Sequence, residues 1–128
     1  MFENCYNLGT FTSDSSGSPV NLSSLKFGSD MFNECYNLST FTSDLSSLTI
    51  GDGMFYDCIA LTSFNADLGS LTWGNYMFDS CKLNVESVEN IASTIKPHSS
   101  GGQITIHVDD TLSVTDKNTI LSHFNTIQ

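Results

Sequence analysis

Four cysteines, at positions 5, 35, 58 and 81, are the side chains best suited to chemistry in this 128-residue chain, as metal ligands, disulfide partners or reactive thiols. Each closes the same phrase, read in turn as MFENC, MFNEC, MFYDC and MFDSC. One cysteine per repeat places the four thiols in a column, pointing the same way at about the 4.7 Å separation of neighbouring strands. A disulfide needs Cβ vectors that face each other, and zinc needs a tetrahedral donor set. A straight ladder offers neither, so Cys5, Cys35, Cys58 and Cys81 are expected to form a buried stack of reduced thiols without metal, with adjacent disulfides as the alternative.

Histidine offers less. His98, His107 and His123 have no cysteine or carboxylate at ligand spacing. His107 alternates outward in QITIHV beside Asp109 and Asp110, where a proton-sensitive pair is the chemical reading and a solvated surface histidine the expected one. No G-x-S-x-G, H-E-x-x-H, P-loop or G-x-G-x-x-G phrase occurs, so neither catalysis nor a cofactor is expected.

The elements that position these residues follow from the period. Met-Phe recurs at 1, 31, 54 and 77, at spacings of 30, 23 and 23 residues. Seven extra residues within DSSGSPV, 14 to 20, account for the longer first interval and are expected to bulge as a loop. A fixed period of this length marks an α/β repeat solenoid, in which each coil buries its apolar positions only against its neighbours. Units start at Met1, Met31, Met54 and Met77, and the repeated Met, Phe and Cys are first of all core residues.

Within each unit, LGTFTS, LSTFTS and LTSFNA predict short strands that pair in parallel. Pairs of leucines three apart follow (Leu22 and Leu25, Leu45 and Leu48, Leu68 and Leu71), then Phe27-Gly28, Ile50-Gly51 and Trp73-Gly74. The glycine is expected to permit a sharp bend before Met-Phe packs inward.

The pattern changes after Cys81. Val85, Val88, Ile91, Ala92 and Ile95 share one helical face, Asn84 can cap its start and Pro97 stops it. QITIHV, 103 to 108, alternates as a strand, and Ser113 or Thr115 can cap a second helix carrying Ile120, Leu121 and Phe124. Residues 1–83 are thus expected to be repeat coils and 84–128 a helix-strand-helix cap over the open apolar end. No comparable cap precedes Met1, which suggests either a longer array or self-association through the uncapped N-terminal coil.

If Leu61 and Phe64 point inward, Ser63, Asn65 and Asp67 face solvent, with equivalents Thr40, Thr42, Asp44 and Thr10, Thr12, Asp14. These nine residues are the candidate ligand-binding face. Stacked aspartates repel, so Asp14, Asp44 and Asp67 read either as a cation or polyhydroxyl site or as acceptors of turn N–H groups. The turn reading is expected, because Asp44 and Asp67 stand immediately before a leucine. Asn21 and Asn37 open the short sequon NLS, which matters only in a secreted eukaryotic chain.

The order C-x-x-L-x-x-F, an apolar-Gly pair, then x-x-M-F-x-x-C resembles the BspA-like, Treponema-type leucine-rich repeat over residues 1 to about 83. Met-Phe stands where Ala-Phe is commoner, and Asp14, Asp44 and Asp67 where a proline often sits. The resemblance implies a short right-handed coil with its parallel strands on the concave face. It also implies a non-catalytic role in cell-surface attachment or in binding host or matrix proteins. A structural spacer or assembly element of a larger surface or phage protein, with no specific ligand, is the alternative.

Charge limits the partners. Fourteen acidic residues against four lysines and no arginine leave a net charge of −10, which repels nucleic acid and anionic membranes. No apolar run approaches the roughly 20 residues of a membrane span, and the first residues lack the form of a signal peptide. A protein or surface glycan partner is therefore expected, at the cell surface or outside the cell if the chain is part of a longer one.

Overall fold

A computed structural model describes residues 21–95 in full, together with the backbone of three outlying strands. In chain order the elements are β1 (Thr10–Phe11), β2 (Thr40–Phe41), β3 (Ser63–Phe64), β4 (Gly74–Leu83), α1 (Val85–Thr94), β5 (Ile104–Val108) and β6 (Thr126–Ile127). Two parallel sheets result, β1-β2-β3 and β4-β5-β6.

The predicted ladder is present but only two residues wide, with Thr10, Thr40 and Ser63 in register and Phe11, Phe41 and Phe64 beside them. Alternation holds along it: Phe41, Ser43, Phe64 and Ala66 are buried, while Thr42, Asp44, Asn65 and Asp67 are exposed. Phe27, Ile50 and Trp73 form a second parallel row, and Thr49 and Thr72 fasten it by donating their hydroxyls to the carbonyls of Lys26 and Thr49.

The Met-Phe segments return along the other side of the core. Two turns in succession, Gly28–Met31 and Phe32–Cys35, are closed by hydrogen bonds, and Gly51–Met54 and Phe55–Cys58 repeat them. The third residue of each has a positive φ: Asp30 56°, Glu34 59°, Gly53 61° and Asp57 56°. A strictly extended strand would send adjacent Met31 and Phe32 to opposite faces. The left-handed residues reset the chain, so that Met31, Phe32 and Cys35 are all buried. In β4 the same two positions, Tyr76 at 56° and Ser80 at 65°, fall within the two register shifts against β5, as bulges do.

The glycines before these turns differ from expectation. Gly28 and Gly51 are needed for close approach rather than for a bend. A Cβ on Gly28 would lie 3.1 Å from Met54 Sδ, and one on Gly51 would lie 3.3 Å from Met77 Cε. Met54 and Met77 therefore fill the space left by Gly28 and Gly51, together with Leu48, which lies 3.2 Å from either Cβ position.

Between the two sides run the phenylalanines. Phe32, Phe55 and Phe78 stack at centroid distances of 5.3 and 5.5 Å, and Phe41 and Phe64 insert edge-on between them at 4.9 to 5.5 Å. Offset and edge-to-face contacts are the favoured arrangements of aromatic rings.

α1 closes the β1-β2-β3 sheet. Asn84 caps it by accepting from Ser87 N, and Val88 and Ile91 are buried as predicted. Val85, expected on that face, is 37% exposed, because it begins the first turn ahead of the contact with β3. Where a further strand would lie, Ser87 Oγ accepts from Phe64 N at 2.7 Å and Asn90 Nδ2 donates to Ala66 O at 3.0 Å. Ser87 is only 3% exposed, so Ser87→Ala leaves the Phe64 N–H without a partner. We expect a loss of about 1–3 kcal/mol in chemical denaturation and faster hydrogen exchange at the Phe64 amide. An unchanged exchange rate would show that α1 does not close this edge.

β5 adds to β4 in parallel, and β6 adds to β5 in turn. The second helix expected from Ser113 or Thr115 lies outside the described residues, as does Pro97. Among the described residues no helix is long and apolar enough to cross a membrane.

Candidate binding groove

The strand residues nominated from the sequence separate into two groups. Thr42, Ser63 and Asn65 line a groove of about 490 Å³ whose other wall is α1, through Glu86, Glu89, Asn90 and Ser93. Phe64 and Ser87 lie at its base, and among the described residues no lysine or arginine lines it. The α1 residues were not among the sequence candidates, although their steps of three, four and seven mark the polar face of the helix.

Asp44 and Asp67 belong elsewhere. Asp44 Oδ1 accepts from Ser46 N at 2.8 Å and Asp67 Oδ1 from Gly69 N at 2.7 Å, each holding the turn into the leucine pair. In the preceding unit Asn21 has this role, with Oδ1 2.9 Å from Ser23 N. It stands at the same place before its leucine, so the inserted loop separates Asp14 in sequence from the turn that its counterparts hold.

The backbone N–H of Ser46, and then its hydroxyl, keep the Asp44 carboxyl below the usual carboxylate range. A depressed carboxyl stabilises the fold above its ordinary pKa of 3.8, and the contribution is lost as pH falls through the lower folded value. Among the described residues no group of three or more histidines, cysteines or carboxylates is arranged to hold a metal ion.

Cys35, Cys58 and Cys81 are buried free thiols, one per unit. The Cys58 thiol donates to Phe32 O at 3.1 Å and the Cys81 thiol to Phe55 O at 3.2 Å. Each therefore satisfies a carbonyl at the turn of the preceding unit. Burial pushes the Cys58 thiol up to about 12 and raises Cys81 well above its ordinary value. Thiols in this state are poor nucleophiles and poor metal ligands.

Of the remaining candidates, Thr40 pairs within the short sheet, and Thr10 joins it through its backbone. Cys5, Thr12, Asp14, His98 and His123 lie outside the described residues, as does the side chain of His107 in β5.

Comparison with known families is consistent with this architecture. The family model described as BspA type leucine rich repeat region, in 6 copies, matches residues 1–99 and so extends through α1. No curated protein and no solved structure matches the chain.

Proposed function

Because the chain belongs to the BspA-type leucine-rich-repeat family, we propose that it is a non-catalytic protein-binding or surface-adhesion module, presenting the groove between the short sheet and α1 to a partner protein. Repeats of this family are generally surface-associated, protein-binding and non-catalytic. In this reading the stacked units form a solenoid, the short sheet lies on its concave side, and the module acts at the cell surface or outside the cell.

One observation carries the choice of face: the polar strand residues and the polar face of α1 converge on one cavity. With Glu86 and Glu89 on its wall and no cation opposite among the described residues, the groove suits a partner surface that brings lysine or arginine. Nucleic acid and anionic membranes are disfavoured by the net charge of −10.

The test is capture of a partner from host and bacterial surface extracts by the immobilised chain, then repeated with Thr42→Ala, Asn65→Ala and Glu89→Lys combined. The expected result is a loss of at least tenfold in affinity, together with weakening at high salt. Asp44 and Asp67 are left intact because they hold turns. Equal capture by the triple variant would remove the groove from consideration. Absence of specific capture by the parent chain would favour the spacer reading, which the shortage of exposed aromatic anchors along the groove also supports.

A further inference from the structure

The Met-Phe side of the units carries a second depression, which shares no residue with the groove. It is an open depression of about 300 Å³, at the lower end of the range for small-ligand sites. Three chemical types line it in pairs: the rings of Tyr56 and Tyr76, the carboxylates of Asp30 and Asp52, and the carboxamides of Asn33 and Asn75. Gly53 keeps it open, since a Cβ there would run into the Asp30 carboxylate.

We propose that this depression binds a single neutral sugar ring. Sugar rings present C–H faces that pack on aromatic surfaces and hydroxyls that both donate and accept hydrogen bonds. The lining offers both halves of that exchange: carboxylates accept, and carboxamides donate and accept. An organic cation would use the carboxylates and tyrosines but, lacking hydroxyls, would bring no acceptor to the Asn75 carboxamide. An acidic sugar would meet two carboxylates and, among the described residues, no cation.

The polar groups are already oriented. Asp52 Oδ1 accepts from Asn75 N at 2.8 Å, and Asp30 Oδ1 accepts from Asn33 Nδ2 at 3.3 Å, which leaves the second oxygen of each carboxylate for a ligand. Asn33 Oδ1 is buried and has no hydrogen-bond partner, an uncommon condition that a ligand hydroxyl reaching this amide would relieve.

Tyr76 is the more exposed of the two rings. It holds a left-handed φ of 56° at the position occupied by Asp30 and Gly53 in the preceding units, and its side chain is 57% exposed. A bulky residue is disfavoured in that conformation. Here the strained position places an aromatic ring on the wall of the depression.

The full chain should be titrated, by calorimetry and saturation-transfer NMR, with the methyl glycosides of glucose, galactose, mannose and N-acetylglucosamine, and with tetramethylammonium chloride as the cation probe. At least one sugar is expected to bind, and Tyr76→Gly, which suits the left-handed backbone, is expected to weaken it at least tenfold. The groove variant carrying Thr42→Ala, Asn65→Ala and Glu89→Lys is expected to bind the sugar as the parent does, whatever its effect on protein capture. Melting curves confirm that each variant is folded. The proposal is overturned if none of the four sugars binds, if binding survives Tyr76→Gly, if the groove variant abolishes it, or if tetramethylammonium alone binds.

Discussion

Phe55→Ala is expected to be among the most destabilising single substitutions in the chain, costing about 4–5 kcal/mol, at the upper end of the range for a buried phenylalanine. The reason is its place at the centre of the aromatic column. Phe55 stacks between Phe32 and Phe78 and meets the edges of Phe41 and Phe64 at 4.9 and 5.5 Å. Removing it therefore opens a cavity at the meeting point of three units and deletes ring contacts worth about 0.5–1.5 kcal/mol each in favourable cases. A domain of this size is stable by only about 5–15 kcal/mol in all, so the variant is expected to retain little cooperative unfolding. Urea denaturation of Phe55→Ala, Phe55→Leu and Ile59→Ala makes the comparison. Leucine should recover part of the loss, and Ile59, 52% exposed four residues away, should cost less than about 1 kcal/mol. A Phe55→Ala loss no larger than that of Ile59→Ala would mean that the column does not hold the units together.

The second large effect concerns alkaline pH. Burial first, and the neighbouring Cys35 and Asp57 charges after it, raise Cys58 from 9.0 to about 12, and Cys81 is raised in the same direction. A group whose folded pKa is raised contributes its stability in full below its unfolded pKa and loses it as pH climbs through the folded value. Between pH 9 and about 12 the unfolded chain has released thiol protons that the folded chain retains. Stability is then expected to fall by about 1.4 kcal/mol per pH unit for each such thiol. Denaturation midpoints measured at intervals across that window give the slope. Cys58→Ala should be less stable at neutral pH, from the lost packing and the lost contact to Phe32 O, yet show a slope shallower by about 1.4 kcal/mol per unit. The two proteins differ in this one thiol, so an unchanged slope would rule out Cys58 as the cause.

Much of the fold was legible because stacking imposes identity. A side chain that must sit on its own counterpart, as Phe32 does on Phe55, repeats at the same place in each unit, and the repeat is visible without coordinates. The register of Thr40 on Ser63 could be read for the same reason, and the cap at Asn84 from the preference of Asn for helix starts. Less visible were features that depend on which neighbour a residue meets. Gly28 and Gly51 carry ordinary φ values, and only the approach of Leu48 with Met54 or Met77 explains them. The left-handed positions escaped notice because five of the six are occupied by Asp, Glu, Tyr or Ser rather than by glycine.

The groove was half legible. Alternation places Thr42, Ser63 and Asn65 outward, but the position of α1 is set by Ser87 and Asn90 finding the unpaired edge of β3, a contact that no periodicity announces. The aspartate column was resolved by geometry, since Asp44 and Asp67 turn toward N–H groups two residues ahead and away from the groove.

The turns of the Met-Phe side have one more consequence. Gly28, Asp30, Phe32 and Glu34 donate their N–H groups to Ile50, Asp52, Met54 and Tyr56, and Gly51, Gly53, Phe55 and Asp57 donate to Trp73, Asn75, Met77 and Asp79. An ordinary parallel pair exchanges hydrogen bonds in both directions. Here all eight run from the earlier unit to the later one, so the peptide dipoles add along the stacking axis as they do along a helix. This flank has a carbonyl-rich pole toward the N-terminal units and an amide-rich pole toward the C-terminal ones. Two such flanks placed end to end match donors to acceptors only head to tail, which gives any end-on assembly of these units a direction.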